Sequence, residues 1–119
     1  MSHGSELFLK RFREVMSQRG LHIIPRPVNN HTIKELGLTS SNVRDIISAL
    51  SIVNYSKGPE QDYTHPSQHI YVFGDNIDGV EVYIKLTIGE DGDLEIPKCI
   101  SFHKADFPIK YPMKSGSSK

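Results

Sequence analysis

Glu81-Val82-Tyr83-Ile84-Lys85-Leu86 decides the fold. Apolar and polar residues alternate without a break. On an extended chain Val82, Ile84 and Leu86 therefore share one face, and Glu81, Tyr83 and Lys85 the other. That is the pattern of a half-buried strand. Three more short patches lie around it: Tyr55-Ser56-Lys57-Gly58-Pro59, Tyr71-Val72-Phe73-Gly74 and Cys99-Ile100-Ser101-Phe102-His103. Strands are expected near 52–56, 69–74, 80–88 and 97–103, with Gly58-Pro59 and Asp78-Gly79 as the breaks between them. Tyr, Lys and His recur at the polar positions. The expected result is a sheet with a core on one face and titratable chemistry on the other.

Before residue 52 the period is helical. Phe8, Phe12, Val15 and Met16 form a stripe on a helix that Ser5 can cap and Gly20 can end. Leu21–Ile24 reads as a short strand closed by Pro25 and Pro27. Asn30 can cap a short helix through Leu36, and Ser40 or Ser41 another carrying Val43, Ile46, Ile47 and Leu50. Helices first and strands afterwards make an α+β fold, with N-terminal helices packed on a mainly antiparallel sheet. The chain is short enough for one domain over residues 1–119, with 1–4 and 114–119 as flexible ends. The prolines at 108 and 112 make 105–113 extended, and Phe107, Ile109 and Tyr111 are expected to cover part of the sheet.

The last hairpin allows two registers in which core meets core, because opposed residues share a face. A loop over Gly89–Asp93 pairs Val82 with Ile100. It leaves Tyr83 and His103 about 13 Å apart and puts Pro97 inside a ladder. A longer loop near Glu90–Ile96 starts the strand at Pro97 and pairs Tyr83 with His103, and this register is favoured. In both, Ile100 and Phe102 face the core, while Cys99, Ser101 and His103 face away.

Formal net charge is zero, but residues 1–57 carry eight Lys/Arg against four Asp/Glu, and residues 58–119 six against ten. Many of the acids sit in two turns, 75–78 and 90–93, which leaves room for a basic surface elsewhere. The single Cys99 excludes an internal disulfide and a CxxC zinc site. His65 and His69 have metal spacing, but Pro66 breaks the helix such a pair requires. No metal and no cofactor are expected. No apolar run approaches the roughly 18 residues that span a membrane. Leu7-Phe8-Leu9 is cut off by Lys10 and Arg11, so a cytoplasmic setting without a signal peptide is expected.

Tyr, Lys and His on one sheet face suit cleavage of RNA without metal. The 2′-OH is the nucleophile, and the protein must supply a base, an acid and a cation for the phosphorane. Imidazole is the side chain suited to acid or base work near neutrality, and His103 takes that role. Lys57 and Lys85 are candidates for phosphate stabilisation, and Tyr83 for a phosphate hydrogen bond or base stacking.

Together these segments resemble the MqsR (motility quorum-sensing regulator) toxins, whose fold is similar to the RelE-like ribonucleases. The resemblance runs from about Asn30 to His103. It rests on Glu35-Leu36-Gly37-Leu38 and the following helix, on Leu50 to Tyr55-Ser56-Lys57, on Val82-Tyr83-Ile84-Lys85 and on Ile100-Ser101-Phe102-His103. It implies a RelE-like fold and a sequence-specific mRNA interferase that acts without the ribosome and without metal, with mRNA as substrate and a cognate antitoxin as partner. Lys57 and Tyr83 fall at functional positions, and Gln68 or His69 near a family Gln in contact with RNA. His103 stands where the family pattern has Lys. That departure leaves a second reading, a non-catalytic protein-binding module of the same fold. A binding surface for the antitoxin is expected at an edge strand near 71–88.

Overall fold

The computed structural model describes residues 2–65 and 68–113. Residue 1, residues 66 and 67 and the expected flexible end at 114–119 lie outside the described residues. Helix α1 (Ser2–Arg19) is followed by β1 (His22–Ile23), α2 (Pro27–Glu35) and α3 (Ser40–Ser48). A 3₁₀ turn at Ile52–Asn54 leads into β2 (Tyr55–Gln61), β3 (His69–Ile77), β4 (Val80–Asp91) and β5 (Leu94–Lys104). The strands form one sheet in the order β1-β5-β4-β3-β2. The β1–β5 pair is parallel and every other pair antiparallel. The α+β architecture is as expected.

One face of the sheet is covered by the helices. Leu9, Phe12 and Met16 of α1 and Val43 and Ile47 of α3 bury against Phe73, Val82, Ile84, Leu86 and Phe102. Phe8, half-buried, stacks on Tyr71 at 4.3 Å between ring centres. Together they make one continuous apolar core. Helix α2 packs on β5, with Ile33 against the core and a buried amide fixing it to the strand. Asn29, fully buried, donates to the carbonyls of Ile24 and Ile100 and accepts from the N–H of Phe102, each at 2.9 Å.

The boundaries differ from the sequence reading in ways with local causes. Helix α1 reaches back to Ser2, past the Ser5 cap. The second helix starts at Pro27, since proline fits the first helical turn, where its missing N–H has no partner to lose. Thr39 rather than Ser40 or Ser41 caps α3, because Asn42 three residues later completes a reciprocal capping box. Residues 52–54 are a turn rather than strand, and Gly58-Pro59 sits within β2 instead of ending it. Gly58 has φ 121°, and a Cβ there would lie 2.7 Å from the Ile70 carbonyl oxygen, so the site accepts only glycine. The 71–88 segment is no edge. Strands β3 and β4 are interior, and the edges are β1 and β2.

The last hairpin corrects the loop length but keeps the favoured register. Tyr83 opposes His103, Ile84 opposes Phe102 and Lys85 opposes Ser101. The pairing then slips, so that Leu86 opposes Cys99, and it continues to Asp91 opposite Leu94 around a two-residue turn. Ile100 is the extra residue of a β-bulge. Beyond it the faces exchange. Cys99, expected to face away, is buried in the core with Leu86, and Pro97 pairs inside the ladder opposite Ile88.

Candidate active site

The other face of the sheet carries two short transverse rows. Lys57 on β2, Val72 on β3, Lys85 on β4 and Ser101 on β5 follow one another across the register. Two residues along, Gly74, Tyr83 and His103 form the next row, about 7 Å away. The Tyr83 and His103 rings stack with centroids 5.3 Å apart and planes 25° apart. The Lys85 ammonium lies 5.8 Å from the Tyr83 ring centre, within reach of its negative face.

These residues line a groove of about 640 Å³. Its charged walls are Arg26, Lys57, Lys85 and Lys110 against Asp106 alone, a formal surplus of three positive charges with His103 neutral. A chain without net charge thus concentrates cations at one place. Arg26 is held in position by donating to Ser101 Oγ at 2.9 Å, and its Nη1 is 3.4 Å from the bulged Ile100 carbonyl. Lys57 pairs loosely with Glu60 at 3.5 Å, both side chains being well exposed. Such a surface pair is weak enough to exchange for a phosphate.

His103 Nδ1 lies 2.9 Å from the Lys104 carbonyl oxygen. A carbonyl only accepts, so Nδ1 carries the proton and Nε2 of the neutral ring holds the free lone pair. The next residue anchors the strand end. The Lys104 ammonium meets Glu35 of α2 at 2.8 Å, and that hydrogen bond holds the Glu35 carboxyl below its ordinary range.

Of the sequence candidates, Lys57, Tyr83, Lys85 and His103 come together in this groove. Gln68 and His69 do not. Gln68 is buried just before β3, and His69 is exposed where β3 begins, opposite Gln61. Cys99 is away from the groove in the core, its thiol pushed up to about 12 by burial. Among the described residues no group of three or more His, Cys, Asp or Glu is disposed to hold a metal, and no helix is long and apolar enough to cross a membrane.

Sequence reasoning missed Arg26, Lys110 and the whole wall supplied by 106–110. Arg26 did carry a signal, a cation between two prolines at a helix start. The segment after β5 crosses the outer face. Glu81 receives the Ile109 N–H at 3.2 Å and the Tyr111 hydroxyl at 2.8 Å. Gly74 lies beneath, and a Cβ there would come within 2.7 Å of Ile109 Cδ1. Ile109 and Tyr111 thus cover the sheet as expected, whereas Phe107 is 82% exposed.

No curated protein and no solved structure gives a match to this chain. A family model described as "Motility quorum-sensing regulator, toxin of MqsA" matches residues 5–104, which spans every strand and helix of the core. The chain belongs to that toxin family.

Proposed function

We propose that this toxin is a metal-free endoribonuclease that cleaves single-stranded mRNA within the basic groove and is held in check by a cognate antitoxin. The stacked Tyr83–His103 pair among four cations carries the reading. His103 Nε2 takes the proton of the 2′-OH, whose oxygen attacks the adjacent phosphorus. Lys57 and Arg26 offset the charge that builds on the phosphorane oxygens. The bond from phosphorus to the 5′-oxygen breaks, and that oxygen leaves with a proton from Lys85 or Tyr83. The products are a 2′,3′-cyclic phosphate and a 5′-hydroxyl. Stacking on Tyr83 restrains the imidazole ring, and the Lys104 carbonyl keeps the working lone pair on Nε2.

The test is expression from a tightly repressed promoter, together with cleavage of a defined RNA by purified protein in excess chelator. Growth arrest, loss of mRNA and cyclic-phosphate ends are expected. His103→Ala should lower the cleavage rate by about 10²–10⁴. Arrest that survives both His103→Ala and Tyr83→Ala, without RNA loss, would overturn the nuclease reading in favour of a binding module.

A further inference from the structure

We infer that the segment 105–113 is a stacking arm for the RNA. Phe107 takes the face of the nucleobase beside the cleaved bond, and Lys110 takes a neighbouring phosphate. This inference rests on the nuclease reading above and adds a base-binding subsite to it.

Three observations converge on it. The first is position. Residues 105–113 lie beyond the 5–104 span matched by the family, yet 106–110 supply five of the twelve residues lining the groove. The second is fixation. The Ala105 N–H extends the ladder to the Glu81 carbonyl at 2.9 Å, and the Glu81 carboxylate then takes both Ile109 N–H and Tyr111 hydroxyl. Gly74 provides the close approach that lets the arm lie flat. The arm is therefore anchored at three points on the same strand residue. The third is the side chain itself. Phe8, Phe12, Phe73 and Phe102 are buried or half-buried, whereas Phe107 stands 82% exposed at the rim of a cation-lined groove. A lone exposed apolar side chain is ordinary on a surface. One held on a fastened arm, lining the same groove as Arg26, Lys57, Lys85 and Lys110, has the layout of single-strand recognition, in which charges track the backbone and a ring takes the base.

The experiment uses the full chain and an RNA oligonucleotide with 2′-deoxyribose at the cleaved position, so that it binds without reacting. A 2-aminopurine stands next to that position. Binding to the wild type should quench its fluorescence through stacking. Phe107→Ala should abolish the quench and weaken binding by about 5- to 150-fold, while Phe107→Tyr restores both. The melting temperature of Phe107→Ala should match the wild type, since the ring is exposed. If the wild type cleaves RNA but Phe107→Ala leaves quench and affinity unchanged, the arm has no such role and the nuclease reading stands. If Phe107→Ala instead weakens only the capture of a partner protein, the surface is a protein-docking one and the inference fails. If the wild type neither binds nor cleaves RNA, both readings fall together.

Discussion

Replacing Asn29 by alanine should be the most damaging single polar change outside the groove. Its amide makes three hydrogen bonds of 2.9 Å from a fully buried position, to Ile24, Ile100 and Phe102. Three such bonds at about 1 kcal/mol each contribute about 3 kcal/mol. The two carbonyls keep a second donor, because Arg26 N lies 2.8 Å from the Ile24 oxygen and Arg26 Nη1 lies 3.4 Å from the Ile100 oxygen. The Phe102 N–H loses its Asn29 acceptor inside the protein, which raises that one loss to about 1–3 kcal/mol. The sum is about 3–5 kcal/mol, a large fraction of the roughly 5–15 kcal/mol that holds a domain together. Urea denaturation should show this loss with an unchanged slope, and thermal melting a fall of roughly 12–20 °C. A loss below about 1 kcal/mol would refute the claim that this amide braces the bulge and α2 against β5.

Two further outcomes follow from the buried thiol and the arm. Cys99 is buried, with its thiol raised to about 12, so alkylation of the folded protein at pH 8 should be at least about 10³-fold slower than in urea. Native labelling within tenfold of the unfolded rate would contradict its place in the core. Burial, and then the hydrogen bond to Glu81, raise the Tyr111 phenol above its ordinary value. The folded state then keeps a proton that the unfolded chain releases, so this contribution is complete below about pH 10 and declines as pH rises further. Urea midpoints of the wild type and Tyr111→Phe should differ at pH 8 and converge above about pH 10; a gap that stays constant would sink the assignment.

Strict alternation made β4 legible, and the rule that core opposes core brought Tyr83 to His103. The same rule misplaced Cys99, because a bulge leaves no mark in a pattern of alternating residues. Its only trace is that Cys99 and Phe102, three residues apart, are both apolar and both need burial. Lys85 could be read because it falls on a strand position with a defined face, whereas Lys57, one residue past the expected strand at 52–56, entered through the resemblance. Lys110 and Arg26 sit on irregular backbone, where no period tells which way a side chain points. Asn29 was invisible for another reason. A buried amide earns its place through three long-range partners, and sequence shows none of them. Gln68 and His69 entered through the resemblance alone, and no period in the sequence tells that Gln68 is buried just before β3 and His69 is exposed at its start.

The single extra residue at Ile100 acts as a change of reading frame within one strand. On its far side the hairpin obeys one parity, and on the Ser101–His103 side another. Insertions or deletions in pairs near Gly92 would lengthen or shorten the hairpin tip without moving His103. Loss of Ile100 alone would remove the bulge and leave Ser101 opposite Lys85 and Cys99 opposite Leu86, each on its present face. In comparing members of this family, a gap is therefore better placed at the bulge than at the hairpin tip.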